Sequence, residues 1–106
     1  MRDNIKGGAL TEVTFFILLS LYKPKHGYAI MQFIEDETHG RLILGAGSLY
    51  GAINSLLAKK WIEPYGINTT RKKEYVITSL GKKITRQEIK RIDEILKIAD
   101  KIVEEE

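Results

Sequence analysis

The stretch LGAGSLYGAINSLLAKKWIEP, from Leu44 to Pro64, decides the fold that the sequence predicts. It begins with small residues, continues as an amphipathic segment, and ends at a tryptophan, a strand-like pair and a proline. Leu49, Ile53 and Leu56 recur at intervals of four and three residues, so we expect one face to contact a core. Because the opposite face is small, this helix can lie in a groove, and we predict that role for residues 46–59.

The face opposite the predicted core carries small and polar side chains. We expect it to present Ser48, Gly51, Asn54 and Ser55. Gly47 and its small neighbours give the helix a permissive N-terminus. Small residues permit close approach to a surface, and an asparagine can form two hydrogen bonds with an adenine edge in the major groove of DNA. A solvated helix face without a ligand is the alternative.

The composition is that of one soluble globular domain. The chain has 106 residues, of which 43% are hydrophobic and 29% charged, which fits neither a disordered tail nor a membrane protein. The absence of cysteine excludes disulfides, thiolate metal sites and cysteine nucleophiles. No signal pattern precedes Gly7, and the apolar run at 13–21 is too short to span a bilayer. We therefore expect a cytoplasmic protein without a membrane partner.

Basic charge is concentrated in the middle of the chain. Residues 59–91 contain ten Lys or Arg and three Glu, a net charge of +7. Residues 92–106 contain two Lys and six acidic residues, a net charge of −4. The basic cluster favours a polyanion as a partner, and a solvated lysine face is the alternative.

Two helices are predicted before the central stretch. Leu10–Tyr22 is apolar nearly all round, so it has to be covered on both sides, by its own core and by a partner. His26–Glu37 forms the second helix, in which the residues at helical spacing are Tyr28, Met31 and Ile34. Gly27 lets this helix lie close to a neighbour. In the connector that follows, Gly40 is the expected stop signal and residues 41–43 a short extended piece.

A β-hairpin and a long helix are predicted after the central stretch. Ile62–Tyr65 and residues 73–78 are typical of strands around a polar, basic loop at 66–72. Tyr75 and Ile77 share one face of the second strand. The order helix, helix, helix, strand, basic loop, strand is that of a winged helix, so we predict a mainly α fold with a small β-hairpin.

The last helix carries a widened coiled-coil seam. Thr78 is placed to cap it, and it begins at Ser79. The seam residues, spaced three and four apart, are Ile89, Ile92, Leu96, Ala99 and Val103. Exposing such a face would cost about 1.5–3 kcal/mol per aliphatic side chain. We therefore predict a homodimer joined by this helix and by Leu10 and Phe15 of the first one.

Three motifs together resemble the PadR family of transcriptional regulators. They are HGYAI at 26–30, SLYGAINSL at 48–56 and KEYVITSLG at 73–81. The resemblance implies a winged helix-turn-helix at 1–78 and a dimerisation helix at 79–106, which form one structural unit. It also implies a homodimeric, repressor-like protein that binds double-stranded DNA at a palindromic operator.

The resemblance further implies roles for individual residues. Ser48 and Tyr50 match positions that contact phosphate or the groove, and a helix start with a hydroxyl suits a phosphate oxygen. Tyr50 packed inward beside Leu49 is the alternative. The basic wing at 66–73 lies along the DNA backbone, where the residues expected to neutralise phosphates are Arg71, Lys72 and Lys73.

The chain departs from the family pattern at Gly51, Ile53 and Trp61, where proline, leucine and glycine are usual. We expect the indole of Trp61 to pack on the base of the wing or on the partner helix. Short members of this kind bind flat hydrophobic drugs at the dimer centre, but the last helix here lacks the tryptophan that they use. Phe15 and Phe16 either line a cavity for a small hydrophobic effector or fill the dimer core.

The sequence gives little support for catalysis. His26 and His39 lack the spacing of metal ligands, and the carboxylates at 35–37 are adjacent rather than placed across a cleft. We expect no catalytic residue, metal or cofactor. The rival function is a winged helix that binds proteins without specific DNA binding, because the exposed side of the central helix has no Lys or Arg before Lys59.

Overall fold

Four α-helices and five short β-strands make up the described part of the chain. The computed structural model describes residues 5–6, 8–66 and 73–106. The helices are α1 (Glu12–Ser20), α2 (Gly27–Glu37), α3 (Ala46–Ala58) and α4 (Ser79–Glu104). The strands are β1 (Ile5–Lys6), β2 (Ala9–Leu10), β3 (Lys25–His26), β4 (Ile62–Tyr65) and β5 (Glu74–Ile77). These bounds confirm the predicted mainly α fold with a small hairpin.

Helices α1 to α3 enclose a core of aliphatic side chains. The fully buried members, at most 1% exposed, include Ile17, Leu18, Leu21, Ile30, Ile34, Leu49, Ile53 and Leu56. The predicted core face of α3 is thereby confirmed. The hairpin closes one side of the core, since Ile62 and Ile77 are also buried and Tyr75 is only 7% exposed. The shared face of Tyr75 and Ile77 is confirmed as well.

Helix α2 places Ile34 in the core and Met31 against it, but leaves Tyr28 outside. Tyr28 is 65% exposed, and the residues that α2 buries are Gly27, Ile30 and Ile34. Tyr28 therefore does not share the buried side with Ile34, because two sets of apolar residues fit the three-and-four spacing and periodicity alone does not choose between them. The Nδ1 atom of His26 accepts a hydrogen bond from the Ala29 amide at 3.4 Å and caps the helix.

Helix α2 ends at the predicted stop signal, in a turn that contains Gly40. His39 and Gly40 have φ angles of 52° and 78°, and the Gly40 amide donates to the Glu35 carbonyl at 2.8 Å, which closes the helix in a Schellman motif. The prediction of a short extended segment at residues 41–43 is wrong. No strand is assigned there, and the Leu42 amide donates to the Thr38 hydroxyl at 3.1 Å, within its own turn.

The sheet has three antiparallel strands in the order β3-β5-β4. In the predicted hairpin, Ile62 pairs with Ile77 and Tyr65 with Glu74. Strand β3 was not predicted; it pairs Lys25 with Tyr75 on the other edge of β5. A strand of two residues beside a proline has no alternation to detect, so only pairing with β5 defines it. The β1–β2 pair near the amino terminus was not predicted for the same reason.

Helix α4 begins in the body of the protein and then leaves it. Thr78 caps it as predicted, since its hydroxyl oxygen accepts from the Gly81 amide at 3.0 Å. Gly81, Thr85 and Glu88 are buried, whereas every residue from Ile92 to the end of the chain is exposed. The described residues span 57 × 28 × 26 Å, and the projecting half of α4 accounts for much of the elongation.

Within residues 5–6, 8–66 and 73–106, no helix is both long and apolar enough to cross a membrane.

Candidate nucleic-acid interface

Helix α3 presents a flat, uncharged face to solvent. The exposed positions along it are Gly47, Tyr50, Gly51, Asn54 and Ala58. A Cβ atom added at Gly47 or Gly51 would meet nothing within 4 Å, so this side of the helix is open. The N-cap residue is Gly45, so no N-cap side chain covers the amides of the first turn. A surface with these properties allows a close approach of the helix backbone to a ligand.

Ser55 does not belong to this face. It was predicted to be exposed beside Asn54, but it is only 4% exposed and lies with Ala52 and Leu56 on the buried side of α3. The buried face is wider than the stripe of large apolar residues, because a small hydroxyl side chain at its flank is covered when the neighbouring elements pack. The prediction that Ser55 is exposed is therefore wrong, whereas its contact with DNA stays an untested prediction. Ser48, seven residues earlier on the same flank, is half-buried.

Tyr50 connects α3 to the start of α2 and to the sheet. Its ring is 46% exposed, yet a Cβ on Gly27 would lie 2.5 Å from its hydroxyl oxygen. Burial raises the pKa of the nearby Tyr75 phenol, and the Tyr50 phenol raises it further. Tyr50 thus does not enter the core beside Leu49. One side of its ring is accessible to solvent, and its hydroxyl end packs against the start of α2. The close helix approach predicted for Gly27 is confirmed.

Tyr28 is the residue at this surface that the sequence analysis missed. It follows Gly27 at the start of α2, and its ring is largely solvent-exposed. Gly27, the residue before it, packs against Tyr50, which places the start of α2 beside α3. The available signal was Gly27 itself, since glycine permits a close approach of a neighbouring element at the start of this helix.

The wing is described only at its base. Lys73 is exposed immediately before β5, and Tyr65 at the end of β4 and Gly66 after it are exposed as well. Arg71 and Lys72, predicted to neutralise phosphates, lie outside the described residues, so their role stays a prediction. The hairpin register pairs Tyr65 with Glu74, so Lys73 lies near the exposed end of β4.

Trp61 forms the joint between α3, the wing and α4. The residue is only 7% exposed, and its carbonyl oxygen accepts from both the Thr78 amide and the Thr78 hydroxyl at 3.0 Å. Its side chain lines a cavity of about 140 Å³ together with Leu10, Ile84 and Glu88. The indole therefore packs within its own chain, between the amino-terminal strand and α4.

The position in this joint whose backbone conformation favours glycine is that of Lys60, not that of Trp61. Lys60 has a φ of 62°, in the left-handed region that side chains other than glycine rarely adopt. The amide of Trp61 donates to the Leu56 carbonyl at 3.1 Å, which completes a Schellman motif at the end of α3. The Nζ atom of Lys59 lies 5.4 Å from the centre of the Trp61 ring, so the ammonium group at the end of α3 lies over the indole.

The residues predicted at a dimer interface lie along one side of the molecule. Leu10, Phe15 and Ile92 line a groove of about 310 Å³, together with Glu12, Phe16, Glu88 and Arg91. Ile89, Leu96, Ala99 and Val103 are exposed further along α4. This stripe continues the side of α4 that buries Gly81, Thr85 and Glu88 against the body, since all of them fall within one face at helical spacing.

An ion pair within α4, with a buried carboxylate and a partly exposed guanidinium, lies against the amino-terminal segment. Glu88 is 6% exposed and receives hydrogen bonds from Arg91 Nε at 2.8 Å and from a second Arg91 nitrogen at 2.5 Å. The Arg91 side chain lowers the pKa of the Glu88 carboxyl most strongly, and the backbone of Leu10 also lowers it, against the opposing effect of burial.

We expect Glu88→Gln to destabilise the protein at neutral pH by about 2 kcal/mol, because Arg91 loses its charged partner. A carboxyl whose folded pKa is lowered stabilises the fold above its unfolded pKa of about 4.3, and this contribution is lost as the pH falls through the folded pKa. Urea unfolding at neutral and acidic pH measures the difference, which should shrink in acid. Glu12→Gln is the control, since its pair with Arg41 is exposed and should contribute less than about 1 kcal/mol. A difference for Glu88 that does not vary with pH would contradict this.

Three helices followed by a two-stranded wing, with an open third helix beside the wing, define a winged helix-turn-helix. Residues 17–87 match the family described as "Transcriptional regulator PadR-like family". The chain therefore belongs to the PadR-like family of DNA-binding transcriptional regulators, which are not enzymes.

Three relatives show how far the similarity extends. Uncharacterized protein X of Lysinibacillus sphaericus is 30% identical over 107 residues, which cover 98% of this chain and 96% of that one. A transcriptional regulator from Clostridium thermocellum is 27% identical, with a TM-score of 0.71 over 87% of this chain and 92% of that one. A PadR family transcription regulator from Clostridium difficile shares the fold at 21% identity, with a TM-score of 0.72 over 88% of this chain and 99% of that one.

Proposed function

We propose that the protein is a homodimeric repressor that binds a palindromic operator in the cytoplasm. Residues of α3 enter the major groove, and the wing at 66–73 lies along the backbone. The observation that carries this proposal is the open, uncharged face of α3 at Gly47, Gly51 and Asn54, and the sequence of the hairpin loop that follows α3 is basic. A dimer seated across a promoter excludes other proteins from it, which is the simplest route to repression.

Affinity and specificity have different sources in this proposal. The exposed side of α3 has no Lys or Arg before Lys59, and Lys59 itself is held over the Trp61 ring. Most of the binding free energy therefore comes from phosphate contacts, to which Arg71, Lys72 and Lys73 contribute. Asn54 supplies base readout, and Ser48 and Tyr50 fix the register of the helix at the edge of the groove.

The homodimer follows from the apolar side of the projecting helix. Ile92, Leu96 and Val103 are 41%, 55% and 71% exposed in the single chain. Burying each against a partner contributes up to about 1.5–3 kcal/mol. In a two-fold dimer the recognition helices are related by the same axis, so they reach half-sites about one turn of DNA, roughly 34 Å, apart.

Regulation by a ligand would use the groove that is lined by Leu10, Phe15, Phe16 and Ile92. It is apolar on one side and has the Glu88–Arg91 pair on the other. Such a groove accepts either a small hydrophobic effector or the apolar side of a partner helix. An effector bound there would change the angle between the two protomers, and with it the spacing of the two recognition helices.

Salt titration of DNA binding tests the proposal against its rival. The logarithm of the binding constant should fall linearly with the logarithm of salt concentration, by about 0.9 per neutralised phosphate. Lys73→Ala should reduce that slope by about 1 while weakening binding to all sequences alike. Fluorescence anisotropy with a labelled duplex gives both quantities. Affinity that is independent of salt would instead favour a protein-interaction module, which the uncharged face of α3 also suits.

Asn54→Ala is expected to weaken binding to the operator by about 1–3 kcal/mol and binding to random DNA very little, because it removes a base contact. The operator for this measurement is obtained by selection of the purified protein on a random DNA pool. Gln32→Ala is the matched control, since Gln32 is an exposed amide on α2 that hydrogen-bonds Asp36. Equal losses on operator and random DNA would exclude Asn54 as a base reader.

A further inference from the structure

The first turns of α4 carry basic charge that the fold does not neutralise. Residues 79–91 contain five basic side chains and one acidic one, a net charge of +4. The acidic residue, Glu88, pairs with Arg91. Within residues 5–6, 8–66 and 73–106, the other four basic side chains of this segment have no ionic partner. All four are exposed, and they are Lys82, Lys83, Arg86 and Lys90.

Three of these side chains form a basic stripe along one side of the helix. Lys83, Arg86 and Lys90 are three and four residues apart, which places them on the side of α4 opposite the one that packs on the body. Lys82 lies at the flank of this stripe, where its Nζ atom is 5.7 Å from the centre of the Tyr22 ring. The basic stripe therefore faces solvent and is separate from the apolar side of α4.

Helix stability does not account for the basic stripe. The helix dipole favours acidic side chains in the first turn of a helix and basic ones in the last turn. The first turn of α4 contains no acidic residue, and the basic side chains follow it directly. Like charges three and four positions apart also repel each other on a helix surface. A ligand with several negative charges would remove this repulsion, so the stripe has the properties of a polyanion site.

One strand joins the basic stripe to the wing. Strand β5 begins next to Lys73 and leads to Thr78, which caps α4. Its four residues span about 13 Å. The stripe from Lys83 to Lys90 is about 10 Å long at 1.5 Å per residue, and one strand of B-DNA carries about three phosphates over that length. The stripe thus matches a DNA backbone both in length and in number of charges.

We propose that the basic stripe binds the phosphate backbone of DNA that flanks the operator, beyond the phosphates that the wing contacts. The inference rests on the proposed function and extends its contact surface from α3 and the wing to α4. Because β5 separates the stripe from the wing, the flanking DNA reaches the stripe by bending toward the body of the protein. Backbone contacts carry no base readout, so they add affinity without changing which operator sequence is selected.

Duplexes of two lengths test this inference by fluorescence anisotropy. The short duplex contains only the operator selected by the purified protein, and the long duplex extends it on each side by about 10 base pairs, one turn of DNA. Lys83→Ala, Arg86→Ala and Lys90→Ala combined should weaken binding to the long duplex about tenfold at low salt and reduce its salt slope by about 2–3, since each neutralised phosphate contributes about 0.9. Binding of this triple variant to the short duplex should stay within about twofold of the wild type, because that duplex lacks the flanking phosphates.

Lys97→Ala combined with Lys101→Ala is the matched control. Both lysines are exposed on the same side of α4 in its acidic half, so this variant should bind both duplexes like the wild type. A triple variant that also binds both duplexes like the wild type would overturn the inference and leave the stripe to an acidic protein. Equal losses on the two duplexes would overturn the flanking position of the contact. Wild-type protein that binds neither duplex would instead remove the proposed function itself.

Discussion

Replacing Gly81 with alanine is expected to destabilise the protein by about 3 kcal/mol or more, because a methyl group there has no space. A Cβ at Gly81 would overlap the backbone carbonyl of Trp61 and lie 2.7 Å from a side-chain carbon of Ile77. Neither contact is with the flexible end of a side chain. The first turn of α4 would have to move away from the hairpin, and the hydrogen bond between the Thr78 hydroxyl and the Gly81 amide would be lost with it.

Gly51→Ala is the matched control for this prediction. Gly51 also lies in a helix, but it is exposed, and a Cβ there would meet nothing within 4 Å. Alanine should therefore stabilise the protein by about 0.5–1 kcal/mol, since it lowers the backbone entropy lost on folding. Urea unfolding of both variants should give effects of opposite sign. Equal effects would mean that helix propensity, and not the close contact with Trp61, decides the cost at position 81.

Ile92→Asp combined with Leu96→Asp is expected to convert the protein to monomers, because it places two carboxylates in the apolar seam. An ionised carboxylate buried without a partner costs several kcal/mol. In the single chain both positions are exposed, so the fold of the monomer should survive. Operator binding should fall by at least about 100-fold, because the two recognition helices no longer bind as a linked pair.

Light scattering and anisotropy measure these two effects. The control is Lys97→Asp combined with Lys101→Asp, which adds the same side chains to the outward side of the same helix, where Lys97 pairs with Asp93. That variant should remain dimeric. A persisting dimer in the seam variant would show that the protomers associate through another surface.

Several features of the site were predictable from sequence because they depend on local rules. The core side of α3, the two strands of the hairpin and the Thr78 cap each follow from spacing or from one side-chain hydrogen bond within a few residues. The long final helix and its apolar stripe were predictable in the same way. The projection of that helix from the body agrees with the prediction that its apolar side needs a partner.

Other features depend on which elements meet. Strand β3 exists because Lys25 and His26 lie beside β5, and Ser55 is buried because the packed elements cover the flank of α3. Tyr28 is exposed because α2 turns Gly27, Ile30 and Ile34 toward the rest of the protein, where Gly27 contacts Tyr50. Periodicity predicts that a helix has a buried side, but it does not predict how wide that side is.

The central stretch from Leu44 to Pro64 shows both kinds of information. Its sequence alone determined a helix with an apolar side, an open polar side and a following strand, because helical spacing and the proline act locally. Only the tertiary structure decided that Lys60 takes the left-handed conformation and that Trp61 turns inward toward α4. The backbone at this joint must turn sharply enough for the Trp61 carbonyl to meet Thr78 and Gly81, and that requirement comes from residues almost twenty positions later in the chain.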